Sequence, residues 1–379
     1  MLSRIQQWFT VLYGVLSGFM VLGLYLVKRR YPPSRRDDFP SIAVCVAARN
    51  EEKNLPFLLE SLSRQEYPVD RIQFFIVDDS SEDETERIIR EWEQKDERFH
   101  YVEPDTNSSI ASPKKRALDT AIRMADAQWI VTTDADCRPG PRWLLSMANY
   151  MGPETVAVVG YSPLHGARNL PGLLLMGESW SSAALAAAGI GLGFPFNCFG
   201  RNFAFRRTQF IDLGGYGTDG KVASGDDDLL LQRLSMRTDM RIRFADHPDS
   251  FVPSYIDDSH NALNTKARHM SVGLRYAPGW ILIGLIGNLL FMGLALLTLL
   301  IPFLPSEQRR IKRLWKTKWV LDSFMALSAV NLLGSPWRGV LAMITMTVAP
   351  FAFWIIWPRA LFMPIQWKGR TFAKGNRAG

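Results

Sequence analysis

The chain has 379 residues, 47% of them hydrophobic and 21% charged, which is enough to build a full core and too apolar for a disordered tail. A formal charge of +7 would admit a nucleic-acid binder. However, the basic residues flank apolar runs (Lys28, Arg29, Arg30, Arg35 and Arg36, then Arg309, Arg310, Lys312, Arg313, Lys316 and Lys318), a placement that fits an anionic membrane face. No zinc-finger or RNA-binding signature appears, and Cys45, Cys137 and Cys198 form no C-x-x-C, so they read as buried thiols in a reducing compartment.

In chain order, Trp8 to Val27 is uncharged and long enough to cross a bilayer, with Lys28-Arg29-Arg30 behind it and no small-x-small cleavage site. Positive-inside places the N-terminus outside and the following domain in the cytoplasm. Tyr31-Pro32-Pro33-Ser34 is a stiff linker. From Phe39 to Phe99 the pattern is β-α-β-α: a strand over Ile42–Ala47, a helix over Glu51–Arg64, a strand over Phe74–Val77, and a helix opened by Ser80-Ser81 and Asp83. Phe99–Val102 is a further strand, Pro113 opens a helix, and Ile130 begins a buried strand that ends at Asp134 and Asp136 before the turn Arg138-Pro139-Gly140-Pro141. This alternation predicts an α/β domain with a mostly parallel sheet covered on both faces.

Leu170 to Phe196 is apolar, rich in Ala and Gly, with Glu178 as its only charge; we expect helices at the membrane surface or lining a groove there, in preference to a re-entrant element. The last third is hydrophobic: Trp280–Leu304, a basic loop, Trp319–Leu333, a short turn and Val340–Trp357. If Trp280–Leu304 crosses once, the basic loop and the basic tail (Lys368, Arg370, Lys374, Arg377) fall outside. A re-entrant or interfacial course keeps both inside and is preferred. The expected organisation is an anchor over 1–30, a cytoplasmic catalytic domain over 31–276 and a membrane region over 277–379.

Ligands of doubly wound sheets bind beyond the carboxyl ends of the strands. Carboxylates gather at three such ends: Glu51-Glu52 after Ala47-Ala48-Arg49-Asn50, then Asp78-Asp79, then Asp134 and Asp136. Solvated loop charge is the bland explanation. A nucleotide-plus-metal site is the sharp one, with Asp79 toward a base or ribose and Asp134 and Asp136 holding Mg²⁺ or Mn²⁺ against a diphosphate. His247 and His260 read as surface or structural histidines.

Val46-Ala47-Ala48-Arg49-Asn50-Glu51-Glu52, Val77-Asp78-Asp79-Ser80-Ser81, Lys114-Lys115-Arg116-Ala117-Leu118-Asp119, Asp134-Ala135-Asp136, Gly200-Arg201-Asn202-Phe203-Ala204-Phe205-Arg206-Arg207, Gly214-Gly215-Tyr216 and Ser224-Gly225-Asp226-Asp227-Asp228-Leu229 occur in that order. Over about residues 40–276 the chain thereby resembles family 2 glycosyltransferases of the GT-A fold, including membrane lipid glycosyltransferases and ceramide glucosyltransferase-like proteins. The resemblance implies an inverting, metal-dependent enzyme on the bacterial inner membrane. It implies a metal on Asp136 helped by Asp134, a catalytic base at Asp227 with Asp226 close behind, and substrate contacts from Ala48, Asn50, Glu51, Asp79, Lys114, Asp134, Asn202, Arg275 and Tyr276. The sequence departs from the family at Ser112-Pro113 and Asp119, where a glycine and an asparagine are expected. It also lacks the glutamine that leads Q/R-x-x-R-W, leaving Arg275-Tyr276, with Arg268 or His269 as alternatives. The implied reaction moves a sugar, UDP-hexose for preference, to a membrane lipid or polyprenol carrier. The rivals are a processive polysaccharide synthase and a non-catalytic nucleotide-sugar-binding module.

Overall fold

The computed structural model describes residues 2–30, 33, 38–217, 225–237, 239–256, 262–273, 275–276, 278–303, 305–363, 365–367 and 370–372. Most of the expected linker at 31–34, Arg35, Arg36, Ser224, His260, Lys368, Lys374 and Arg377 lie outside them.

The first half alternates as the hydrophobic pattern demands: α1 (Leu2–Arg30), β1 (Ile42–Ala48), α2 (Leu55–Ser63), β2 (Ile72–Asp78), α3 (Thr85–Lys95), β3 (Phe99–Val102), α4 (Pro113–Met124), β4 (Trp129–Thr132) and α5 (Trp143–Ala148). The middle continues with β5 (Thr155–Gly160), β6 (Leu164–His165), α6 (Leu170–Leu192), β7 (Phe203–Arg206), α7 (Arg207–Asp212), α8 (Asp228–Arg237), β8 (Arg241–Ala245) and β9 (Ser254–Tyr255). Then come α9 (Ala262–Gly273), α10 (Pro278–Leu299), α11 (Gln308–Leu333) and α12 (Pro336–Phe362). The seven-stranded sheet has the order β3-β2-β1-β4-β7-β5-β8. Only β7 is antiparallel to its neighbours, β4 and β5. Successive residues of β1 and β2 enter opposite cores. Val44, Val46, Phe74 and Ile76 pack with α2 and α5, whereas Ala43, Cys45, Phe75 and Val77 pack with α4 and α6. Burial on both faces is why these strands read as continuous apolar runs.

Helix α2 begins four residues later than its sequence pattern suggests. Asn50 is left-handed at φ 52°, and the amides of Glu51 and Glu52 donate to Thr85 Oγ1 and Asp83 Oδ2 (2.8 and 3.1 Å), so Glu51–Asn54 form a turn latched to the β2–α3 loop.

The apolar stretch after Asn169 is one helix, α6, stopped by left-handed Gly193. It is long and apolar enough to cross a membrane, as are Gln6–Arg29 and Pro336–Arg359. Both its flanks nevertheless return to the catalytic domain, through β6 on one side and β7 on the other. It therefore forms a layer between the sheet and α1 and α12. Glycines permit that packing: a Cβ on Gly191 would overlap the Gly23 backbone, and one on Gly177 would overlap Leu341 and Thr345. Glu178, the charge inside α6, is paired with Lys266 of α9.

The terminal helices enter the core of the domain, with Leu24 and Val27 of α1 and Ala329, Leu332 and Leu333 of α11 in the same cluster as Ala183 and Ala187. Farther along, Phe9 and Tyr13 of α1 meet Leu294 of α10 and Leu314 of α11, and a buried Lys318–Asp322 pair receives the Tyr13 hydroxyl. Helix α10 is unbroken from Pro278 to Leu299, and the chain turns back after it so that Leu294 of α10 packs with Leu314 of α11. The exposed cations Arg309, Arg310, Lys312, Arg313 and Lys316 occupy the end of α11 remote from the sheet.

Candidate active site

The loop after β4 carries Asp134 and Asp136 and is held from two sides. Thr132 Oγ1 donates to the Gly200 carbonyl (2.8 Å), and the Tyr255 amide donates to the Asp136 carbonyl (3.1 Å). The first turn of α4 points Lys114 into this loop. Its ammonium lies 2.9 Å from Asp134 Oδ1 and 3.0 Å from Asp226 Oδ2, so one cation joins the end of β4 to the residues that open α8. Burial opposes the charge of Lys114, but Asp134 and Asp226 together raise its pKa above the ordinary lysine value.

The three aspartates before α8 have different surroundings. Burial alone would raise the Asp226 carboxyl, yet Lys114, with Lys115 behind it, holds it below the usual range. Asp227 accepts the amides of Gly200 (2.6 Å) and Asp228 (2.8 Å); burial and the Asp226 charge push its pKa up. Asp228 accepts the Cys198 amide (2.8 Å) and the Tyr276 hydroxyl, and burial beside Asp227 raises it well above the carboxylate range. A Cβ on Gly200 would lie 3.2 Å from the carboxylates of both Asp226 and Asp227, close enough that they would have to give by a few tenths of an ångström. Cys198, Asp227 and Asp228 cluster closely, but the two carboxylates are already ligated by backbone amides and Tyr276.

Asp134 and Asp136 form an oxygen-only donor pair suited to a hard divalent ion. Burial, then the Asp134 charge, pushes Asp136 up to about 6, which marks a carboxylate pair short of positive charge. The Lys114 ammonium on Asp134 shows that the site accepts a cation. These residues fit Mg²⁺ or Mn²⁺.

The ends of β1 and β2 are laced together. Arg49 donates to the carbonyls of Asp79 (2.7 Å) and Ser80, Asn50 Oδ1 accepts the Glu82 amide (2.8 Å), and the Asp79 amide donates to Ala48 (2.9 Å). Ala48, Asn50 and Glu51 thus shape the edge beside Asp79. The Asp79 carboxylate is buried, with Arg116 of α4 at 3.7 Å. Asn202 stands apart from the cluster. It is wholly buried, its amide nitrogen donates to Tyr161 and Ser250 carbonyls (2.9 and 2.8 Å), and its oxygen accepts Trp143 Nε1 (3.0 Å). That geometry supports the floor of the site and leaves no amide group for a substrate. Tyr276 reaches the cluster through Asp228, whereas Arg275 is exposed. Asp119 accepts the Tyr216 amide (3.4 Å) and pairs with Arg123, which accounts for a carboxylate where the family pattern has asparagine.

Sequence reasoning passed over Arg201, which donates to Ser254 Oγ (3.1 Å) and whose charge reaches Asp136. It named Arg268 only as an alternative, yet this residue of α9 faces Asp226, Asp134 and Asp227. His269 is exposed. No spacing rule singles out Arg268, because only the packing of α9 brings it to aspartates that are far away in sequence.

Residues 43–212 match the model described as Glycosyl transferase family 2. Among curated relatives, the probable glycosyltransferase YdaM of Bacillus subtilis is 26% identical over 215 residues, covering 55% of this chain and 50% of that protein. The beta-monoglucosyldiacylglycerol synthase of Trichormus variabilis is 26% identical over 143 residues, covering 38% and 30%. The chain thus spans half or less of the length of these relatives. A solved mannosyltransferase, PcManGT from Pyrobaculum calidifontis in complex with GDP-Man and Mn²⁺, superposes with a TM-score of 0.59 at 20% identity, covering 96% of this chain and 99% of that one.

Proposed function

Because the chain carries a glycosyl transferase family 2 domain over residues 43–212, on a GT-A fold, we propose that it transfers a sugar, with inversion, from a nucleotide sugar to an acceptor drawn from the membrane. The observation that carries this reading is the sharing of Lys114 between Asp134, on the donor side, and Asp226, at the start of α8. A leaving diphosphate and an attacking hydroxyl need opposite electrostatics a few ångströms apart, and this constellation supplies both.

Asp79 with Arg116 would receive the nucleoside, and Lys114 and Arg268 would face the diphosphate. Asp134 and Asp136 would hold Mg²⁺ or Mn²⁺, which when bound supplies Lewis-acid stabilisation to the departing diphosphate. Asp226 takes the proton from the acceptor hydroxyl as its oxygen attacks C1 from the face opposite the leaving group. Matching the motif on Arg233 favours Asp227 as base and matching it on the leucines favours Asp226; the oxygens of Asp227 already accept two backbone amides, and we assign it to fixing the loop against Gly200. Asp226 is anionic and faces Lys114; its basicity rises when Lys114 turns to the diphosphate.

A lipid acceptor is supported by the junction of site and membrane helices: Tyr276 binds Asp228 and lies two residues before α10, whose Leu282 and Leu289 are exposed. A relative named for glucosyldiacylglycerol synthesis points the same way. Lys28 and Arg29 behind α1 favour a cytoplasmic catalytic domain on a bacterial inner membrane.

The test is transfer in native membranes with Mg²⁺ or Mn²⁺, offering radiolabelled UDP-glucose, UDP-galactose, UDP-N-acetylglucosamine and GDP-mannose in turn. Chelator, Asp136→Ala and Asp226→Asn serve as controls. Metal-dependent label in the organic phase, lost in both variants, supports the reading. Label retained as aqueous polymer would make the chain a polysaccharide synthase, and nucleotide binding without transfer in the presence of added lipids would make it a binding module.

A further inference from the structure

Arg138 follows Asp136 by two residues and is unlike the other arginines around the sheet. Arg49, Arg206 and Arg207 all donate to backbone carbonyls. The Arg138 guanidinium makes no hydrogen bond or ion pair among the described residues; instead it lies 4.1 Å from the ring centroid of Phe57 and 4.1 Å from that of Tyr255. Two aromatic rings therefore lie against the cation, while its guanidinium N–H donors make no hydrogen bond among the described residues and the side chain stays partly exposed. Stacking holds the guanidinium without consuming a donor, which prepares it for bidentate recognition of an anionic oxygen pair.

The surroundings say where such an anion would come from. Phe57 sits in the first turn of α2, at the carboxyl edge of the sheet, and is half exposed. On the other side, Tyr255 stacks on His165 (5.5 Å between centroids, 26° between planes). Arg338, in the first turn of α12, donates to the Leu164 carbonyl (3.0 Å) and contacts the His165 ring (2.9 Å to Nε2). Its neighbour Trp337 is exposed, as aromatic residues at a bilayer interface are. A line of side chains thus runs from Arg138, two residues past Asp136, through Tyr255 and His165 to Arg338 and Trp337 at the domain end of α12, a helix long and apolar enough to cross a membrane.

We propose that Arg138, packed against Phe57 and Tyr255, binds the phosphate of a membrane lipid, so that an acceptor carrying a phosphate head group is held beside Asp136. This deepens the lipid-acceptor reading and rests on it for the word acceptor; the phosphate site itself does not depend on transfer.

The test uses the full chain in detergent, titrated with mixed micelles of dioleoyl phosphatidic acid or of dioleoylglycerol, which differ only in the phosphate. Inorganic phosphate and, with Mn²⁺, UDP and GDP are titrated in parallel. Phosphatidic acid should bind about 10- to 100-fold more tightly than the diacylglycerol, the range for hydrogen bonds to a charged group. Arg138→Ala should abolish that preference and Arg138→Lys should restore part of it. Arg64→Ala, an exposed cation just past the far end of α2, should leave the preference intact. Unchanged thermal unfolding of the Arg138 variants would show that the fold is retained, and Arg138→Gln provides a further variant if Ala is unstable. A preference that persists in Arg138→Ala would overturn the proposal. So would inorganic phosphate binding as tightly as the lipid, or a loss of nucleotide affinity in Arg138→Ala equal to the loss of lipid affinity, which would assign the guanidinium to the donor. A chain that bound no nucleotide would count against the transferase reading alone, because the comparison of the two lipids needs no donor.

Discussion

Lys114 offers a test in which the sign of an effect, and not only its size, is predicted. Its side chain is 17% exposed, and its partners Asp134 and Asp226 are 32% and 11% exposed, so solvent screens the cluster only partly. Lys114→Met leaves two carboxylates facing each other across the vacated ammonium. Removing one partner of a fully buried pair costs about 3–5 kcal/mol; with this residual exposure, and with Arg268 and Lys115 still nearby, about 2–3 kcal/mol is expected. In the wild-type background Asp226→Asn removes a favourable pair and should destabilise by about 1–2 kcal/mol. In the Lys114→Met background the same change relieves repulsion and should stabilise by a similar amount, a coupling of about 2–4 kcal/mol. The readout is the apparent unfolding midpoint of the detergent-solubilised chain at a fixed scan rate, where about 2–4 °C corresponds to each kcal/mol for a domain of this size. If Asp226→Asn lowered the midpoint equally in both backgrounds, the shared ion pair would not exist in solution.

Divalent-ion affinity should depend on pH through Asp136. With its carboxyl pushed up to about 6, protonation competes with the ion below that value, so calorimetric Mn²⁺ affinity in the presence of UDP should fall about tenfold per unit below pH 6 and level off above it. A flat profile from pH 5 to 8 would rule out Asp136 as the titrating ligand. Asn202→Ala strands Trp143 Nε1 and the Tyr161 and Ser250 carbonyls and should cost about 2–4 kcal/mol of stability, with donor KM unchanged in the surviving enzyme; a raised KM at full stability would assign Asn202 to the substrate. Gly191→Leu cannot fit against the Gly23 backbone and should separate α1 from α6, speeding tryptic cleavage after Lys28; unchanged cleavage would show that the crossing is looser than described.

The α/β alternation was legible because Val44, Val46, Phe74 and Ile76 fill one buried face and Ala43, Cys45, Phe75 and Val77 the other, so each strand reads as a short continuous apolar run set between helical patterns. The acidic residues at strand ends were legible for a related reason: a parallel sheet exposes the carboxyl ends of its strands on one edge, so Asp79 after β2 and Asp134 after β4 had to lie on the same edge, one strand apart, once the topology was set. What local pattern could not encode was distance along the chain. Asn202 looked like a ligand until its amide was found between Trp143, Tyr161 and Ser250, partners 41 to 59 residues away. Helix α6 has the length and apolarity of a membrane span, and only the tertiary structure shows that it packs between the sheet and α1 and α12. Residue types and their order determined which chemistry this chain is equipped for. Tertiary structure decided which aspartate faces Lys114 and which arginine keeps its donors free, because charge pairing and stacking depend on separations in space that the separation in sequence does not constrain.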